Sequence, residues 1–192
     1  LECLSLPSNV ENICVKSFSY CKKLTNVVLG NKVRMIERAA FEQCKNLKSI
    51  EIPFSVEYID NAFEESGIEI FNFNACNAEL NLSTKSFSQI NIGENVKVLP
   101  KKLFSEIYMK KIVIPANVRL IKKDCFRNAV TEELYIDSTN IKFENDWIST
   151  RSTLLRKIYV HAEIYQDIVA YMPKNVKIKK IYPHKFLFFK WV

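Results

Sequence analysis

The chain has 192 residues, of which 48% are hydrophobic, and its 28 basic and 21 acidic side chains give a formal net charge of +7. This hydrophobic content is ample for a packed core, yet no run approaches the eighteen or so apolar residues of a membrane span. With only three glycines, the chain has no Gly-rich loop of the kinds that bind phosphate.

The first predicted element is a strand within Leu1 to Leu6, and neither an initiator methionine nor a signal peptide precedes it. We therefore expect that upstream sequence has been removed. The open edge of this strand would need to be covered by the missing residues or by a partner.

The same apolar, variable, apolar triplet then recurs along the chain, and its period of two residues is typical of a short strand with one buried face. Successive triplets end 19 to 24 residues apart, which indicates structural repeats. The triplets end at Leu6, Leu29, Ile52, Phe73, Ile92, Ile114, Ile136, Val160 and Ile181.

In five repeats the triplet is followed by a V-x-x-I pattern, with leucine in place of isoleucine in one of them, and then by an aromatic residue, as in Val56, Ile59 and Phe63. The segment around the aromatic residue, such as Glu37 to Cys44, is long enough for one or two helical turns. The sequence therefore predicts an α/β-type solenoid with parallel short strands on one face and short helices or turns on the other. One repeat cannot bury its own apolar face, so neighbouring repeats must stack and share a core.

Three regions follow from this pattern. Residues 1–160 form the predicted solenoid, with an irregular repeat around 74–88, where the distance from Phe73 to Leu80 is interpreted as about three residues too long. Residues 161–182 are expected to form a C-terminal cap. Residues 183–192 are an aromatic and basic tail, which either folds back over the last turn or serves as a docking or interfacial anchor.

The repeated string L-x-x-I-x-I-P-x-x-V-x-x-I-x-x-x-A-F-x-x-C, read from Leu24 to Cys44 and from Leu47 to Phe63, resembles the BspA-like leucine-rich repeat family. The resemblance covers most of residues 1–182. It implies a non-enzymatic binding solenoid at a cell surface or in a secreted protein, with adhesion as the best-known role. A cytoplasmic location is the alternative.

Neither the histidines nor the cysteines form a catalytic or metal-binding pattern. The two histidines, His161 and His184, lie in the predicted cap and tail, and no C-x-x-C occurs. Cys21 and Cys44 share one repeat position and are expected to stack as small buried hydrophobic residues. We expect all six cysteines to be reduced, and we expect no enzyme activity, cofactor, metal or small-molecule substrate.

The middle residue of each triplet points away from the core, so these residues should form a ladder across the sheet. Because tyrosine is enriched at interface centres, the end of the ladder is the predicted surface for a protein partner. The alternative is that valine and tyrosine are simply good strand residues. The ladder consists of Ser5, Val28, Glu51, Asn72, Asn91, Val113, Tyr135 and Tyr159.

A second candidate surface is a basic stripe. Lys101 and Lys102 occupy nearly the same place in their repeat as Lys122 and Lys123 do in the next. Such a stripe could bind an anionic glycan, anionic lipid or nucleic acid phosphate, although nucleic acid is the weakest of these because no groove-reading motif accompanies the charge. A solvated lysine-rich face is the alternative. A third hypothesis is a pure scaffold that presents another functional region.

Overall fold

The computed structural model describes residues 1–82, 87–148, 155–172 and 174–181. The chain winds as a solenoid in which all paired strands are parallel. Each regular turn contributes one strand to an outer sheet, one short strand to a second sheet, and a run of turns that completes the circuit. The predicted solenoid of stacked parallel strands is confirmed.

The outer sheet contains the triplets, and strands are numbered β1 to β16 in chain order. Its strands are β1 (Cys3–Ser5), β3 (Asn26–Val28), β5 (Ser49–Ile52), β7 (Ile70–Phe73), β9 (Gln89–Ile92), β11 (Tyr108–Ile114), β13 (Val130–Ile136), β15 (Lys157–His161) and β16 (Lys177–Ile181). Hydrogen bonding divides the sheet into β1-β3, β5-β7-β9 and β11-β13-β15-β16.

The second sheet was not expected from the sequence, which predicted strands only at the triplets. Its strands are β2 (Asn12–Ile13), β4 (Met35–Ile36), β6 (Tyr58–Asp60), β8 (Glu79–Asn81), β10 (Val98–Leu99), β12 (Leu120–Ile121) and β14 (Lys142–Phe143). They pair as β2-β4-β6-β8 and β10-β12-β14. The isoleucine or leucine of each V-x-x-I pattern points inward from these strands, as Ile36 and Ile59 show by being fully buried.

Of the short helices or turns predicted on this side of the solenoid, the structure shows turns around the aromatic residues. In Lys16 to Tyr20, both end residues have positive φ angles, of 59° each, which no α-helix contains. Alternate backbone N–H groups there donate to the next repeat, from Phe18 to Ala40 O at 2.9 Å and from Tyr20 to Glu42 O at 2.7 Å. Hydrogen bonds between repeats therefore replace those of a helix.

Aromatic side chains fill the core beneath these turns. The rings of Phe18, Phe41 and Phe63 stack with centroids 5.4 and 5.9 Å apart. Farther along, Phe104 stacks on Phe126 at 4.7 Å, and Phe126 meets Trp147 edge-on at 5.6 Å. Such contacts add about 0.5–1.5 kcal/mol per pair to the hydrophobic burial, so the aromatic column ties consecutive repeats together.

The irregular repeat is more regular than predicted. Leu80 of β8 pairs in register with Ile59 of β6, and it follows Phe73 at the same spacing at which Ile59 follows Ile52. The interpretation of an overlong segment between Phe73 and Leu80 is therefore wrong. The departure from the repeat comes later, because only 19 residues separate Phe73 from Ile92, the shortest of the triplet spacings. Residues 83–86 lie outside the described part of the chain.

At the C-terminal end, a 3₁₀ turn (Ala162–Ile164) leads into a single short helix, α1 (Tyr165–Val169), and β16 then pairs with β15. The tail at residues 183–192 lies outside the described residues. None of the helices in the described ranges is both long and apolar enough to cross a membrane.

The cysteines differ in exposure more than the sequence predicted. Cys44 and Cys125 are buried and Cys21 is half-buried, whereas Cys3, Cys14 and Cys76 are exposed. The Cys44 thiol donates a hydrogen bond to Phe18 O at 3.2 Å. Burial, together with the neighbouring Cys21 thiol, raises the pKa of Cys44 to about 11, so at neutral pH this residue is a protonated core side chain.

Candidate functional site

Strand register places the ladder residues in one column within each part of the outer sheet. Ser5 pairs with Val28. Asn72 pairs with Glu51 on one side and Asn91 on the other, and Tyr135 pairs in the same way with Val113 and Tyr159. The column continues onto β16 at Lys179. Binding by these residues remains a prediction.

The ladder changes chemistry along the solenoid. On β5, β7 and β9 it is a network of carboxylate and amide groups, in which Asn91 Nδ2 donates to Asn72 Oδ1 at 2.7 Å and Asn74 Nδ2 donates to Glu51 Oε1 at 3.2 Å. A cleft of about 400 Å³ opens where β9 and β11 fail to pair, lined in part by Asn91 and Val113. Beyond the cleft, the ladder becomes apolar and aromatic.

Beyond this cleft, the outward-facing side chains of β11, β13, β15 and β16 form two adjacent rows, which we call the C-terminal outer face. One row is the ladder itself, and the other lies two residues earlier on each strand. The rows contain Val113, Tyr135, Tyr159 and Lys179, and Lys111, Glu133, Lys157 and Lys177.

The rings of the two tyrosines at the centre of this face, Tyr135 and Tyr159, stack on each other. Their rings are nearly parallel, with an angle of 5° and centroids 4.2 Å apart. Lys111 Nζ lies 4.3 Å from the centroid of the Tyr135 ring, and Lys179 Nζ lies 5.6 Å from that of Tyr159. A lysine therefore flanks each outer side of the tyrosine pair, in the geometry of a cation–π contact.

Glu133 binds the hydroxyl groups of both tyrosines and the ammonium group of Lys157. It accepts hydrogen bonds from Tyr135 OH at 3.1 Å, Tyr159 OH at 3.3 Å and Lys157 Nζ at 3.2 Å. Burial alone would raise the pKa of Glu133, but these hydrogen bonds together hold it below its ordinary value. Burial, with the hydrogen bonds to Tyr159 and Glu133, raises the pKa of Tyr135, so the Tyr135 hydroxyl is a protonated donor within this arrangement.

Sequence reasoning found the tyrosines and missed Lys111, Glu133 and Lys157 as members of the same surface. The signal was available, because each of these three occupies the position two residues before a ladder residue. On a strand, residues i and i+2 share a face. Reading two columns instead of one would have identified the charged row.

The predicted basic stripe lies on the turn side of the second half of the solenoid. Lys101, Lys102 and Lys123 are exposed and Lys122 is half-exposed. Carboxylates are interleaved with these lysines. Lys123 Nζ lies 3.8 Å from Asp146 Oδ2, and the backbone N–H of Lys123 donates to Glu144 Oε2 at 2.8 Å. The backbone N–H of Lys102 donates to the backbone oxygen of Asp124, another acidic residue.

The acidic residues between these lysines partly neutralise the basic stripe, and this lowers the positive electrostatic potential that would attract a polyanion. Anionic ligand binding at Lys101, Lys102, Lys122 and Lys123 remains a prediction, and the geometry favours it less than it favours the C-terminal outer face.

Asp137, which follows the last residue of β13, has a partly buried and poorly solvated carboxylate. Its Oδ1 is buried with no hydrogen-bond partner among the described residues. Burial raises the pKa of Asp137, while the nearby His161 and Lys111 oppose the shift. A folded-state pKa above the unfolded one favours folding at low pH, and this contribution is lost as pH rises through the folded pKa.

We therefore expect Asp137→Asn to gain stability relative to the wild type as pH increases. The check is the difference in thermal midpoint between variant and wild type at about pH 4 and about pH 7, which bracket a raised carboxyl pKa. Asp167→Asn, at an exposed position of α1, controls for the loss of a carboxylate. A midpoint difference that is unchanged or shrinks toward pH 7 would contradict the assignment.

Within the described ranges, no three or more His, Cys, Asp or Glu side chains come together in a group that could hold a metal ion. Of the two histidines, His161 is buried at the end of β15, and His184 lies outside the described residues.

Comparisons with known proteins address the repeat directly. The family model described as BspA type Leucine rich repeat region matches six copies over residues 1–87 and 80–187. No match was found among curated proteins.

Two solved structures are similar to the chain. A leucine-rich repeat protein from Bacteroides ovatus ATCC 8483 has 20% sequence identity and a TM-score of 0.48, with 93% of this chain aligned to 51% of that one. The pneumococcal vaccine antigen PcpA has 14% identity and a TM-score of 0.35, with 95% of this chain aligned to 68% of that one. The chain thus spans about half the length of the Bacteroides protein. Because the family model covers nearly all of the sequence, the chain belongs to the BspA-type leucine-rich repeat family.

Proposed function

We propose that this chain is a non-enzymatic module that binds a protein partner through its C-terminal outer face, in adhesion or surface recognition. Membership of a generally non-enzymatic repeat family supports a binding role. The finer choice of surface rests on one observation, the tyrosine pair stacked at 4.2 Å between Lys111 and Lys179.

The physical argument is preorganisation. A side chain that is already ordered loses little conformational entropy on binding, and each rotamer-rich side chain that is immobilised costs about 0.5–1.5 kcal/mol. Glu133 holds Tyr135, Tyr159 and Lys157 in one arrangement before any partner arrives. Tyrosine is also among the residues that dominate interface energetics.

Site-specific photo-crosslinking tests the proposed surface. Benzoylphenylalanine in place of Val113 is expected to crosslink to a protein in an extract of the native cells. The same probe in place of Tyr20, which is 59% exposed on the turn side, is the control. Absence of a protein adduct at position 113, or the same adducts at both positions, would contradict the proposal.

A further inference from the structure

We infer that the C-terminal outer face recognises an acidic polypeptide segment, an inference that rests on the protein-binding role proposed above. The face presents two kinds of chemistry together. Lysine ammonium groups lie around an apolar and aromatic centre formed by Val113, Tyr135 and Tyr159.

The charge of the two rows is positive. They contain four lysines and one carboxylate, a formal net charge of +3. That carboxylate, Glu133, already accepts three hydrogen bonds within the protein, one of them from Lys157. The exposed Lys110 and Arg156 border the rows, with half-buried Glu132 and Asp137 as the other acidic groups nearby.

The middle of the outer sheet is different. On β5, β7 and β9 the ladder is Glu51, Asn72 and Asn91, so it contains one acid and no base. Among the residues of the two outward rows, the basic ones therefore lie at one end of the sheet, on β11, β15 and β16. An acidic partner would be steered to the C-terminal outer face and away from the amide ladder.

The tyrosine geometry favours a polypeptide over a nucleic acid or a glycan. Nucleic acid bases stack on free aromatic ring faces. Here Tyr135 lies between Lys111 and Tyr159, and Tyr159 lies between Tyr135 and Lys179, so all four ring faces are occupied. A partner meets ring edges and lysine ammonium groups instead.

The apolar part of the C-terminal outer face also favours a polypeptide as the partner. Val113 is half-exposed within the ladder, next to the edge of the tyrosine pair. A polyanion without apolar groups would leave these side chains uncovered. A segment that alternates acidic and apolar residues supplies both contacts, since its i and i+2 side chains recur every 6.6 Å or so, about the separation of Lys177 and Lys179 on β16.

The test uses a fluorescein-labelled synthetic peptide that alternates glutamate and valine, and an alternating lysine and valine peptide as its charge-reversed control. We expect the glutamate peptide to bind, and the affinity to fall about tenfold or more in Lys177→Glu/Lys179→Glu. Lys22→Glu/Lys23→Glu applies the same charge change to two exposed lysines at the other end of the solenoid and is expected to preserve binding. Circular dichroism confirms that both variants are folded.

Competition separates the possible ligands. The inference is overturned if a heparin fragment or single-stranded DNA binds in a Lys177- and Lys179-dependent manner while the glutamate peptide does not. It is also overturned if both double variants, or both peptides, behave alike. A protein adduct at position 113 that survives Lys177→Glu/Lys179→Glu would leave the proposed binding role standing and remove only its acidic specificity.

Discussion

Replacing Phe41 with alanine is expected to lower the free energy of unfolding by about 3–5 kcal/mol. Phe41 is fully buried and stacks on both Phe18 and Phe63, so its loss leaves a cavity between three consecutive repeats. A domain stable by about 5–15 kcal/mol loses a large part of its stability through this one change. Urea denaturation followed by circular dichroism measures it.

Phe54→Ala is the matched control, because it removes the same atoms from a side chain that is 63% exposed in the loop after β5. We expect a change within about 0.5 kcal/mol there. Equal effects at the two positions would show that the aromatic column does not stabilise the repeats.

The second large effect is expected from Gly67→Ala. A Cβ at Gly67 would lie 1.9 Å from the backbone oxygen of Lys45 and 2.7 Å from its carbonyl carbon. The obstacle is therefore the backbone of the preceding repeat. Gly67 N–H also donates a hydrogen bond to this backbone, at Cys44 O, 3.0 Å away. Because two repeats must separate to admit a methyl group, we expect a loss of about 3 kcal/mol or more in unfolding free energy.

Gly93→Ala provides the contrast. There the added Cβ would meet Asn74 Oδ1 at 1.8 Å, which is the end of a side chain that can rotate away. The expected cost is the hydrogen bond from Asn74 to Glu51, about 1 kcal/mol. If Gly93→Ala destabilised the protein as much as Gly67→Ala, backbone contact between repeats would not be the cause.

The outer sheet could be predicted from sequence because its pattern is strong. A triplet such as Ile50-Glu51-Ile52 alternates with a period of two, and the stacking of repeats then fixes the register. The same reasoning placed Tyr135 beside Tyr159, as the strand pairing shows. Period and register together determine which residues share a face.

The second sheet could not be predicted from the sequence, and turns could not be distinguished from short helices, for two physical reasons. Strands of two or three residues, such as Met35–Ile36, are too short to display a period. The positive φ angles that prevent helices fall on residues such as Lys16, Ala39 and Gln43, which carry none of the glycine signature of left-handed backbone. Hydrogen bonds to the next repeat stabilise these conformations, and a single repeat does not reveal them.

Sequence reasoning predicted only part of the candidate site, because hydrogen bonds and ring contacts depend on side-chain conformation. The sequence places Glu133 near Tyr135, but it does not show that one carboxylate binds both tyrosines and Lys157. It likewise suggested a basic stripe at Lys101 and Lys123 without showing that Asp146 lies beside it.

The most direct test of partner binding by the C-terminal outer face is the affinity of Tyr135→Ala/Tyr159→Ala for the protein crosslinked at position 113. We expect a loss of about tenfold or more, because the change removes the stacked pair at the centre of the face. Asn72→Ala/Asn91→Ala, in the amide ladder beyond the cleft, is the matched control and should bind as the wild type does. An unchanged affinity in the tyrosine variant would contradict the assignment of this face as the binding surface.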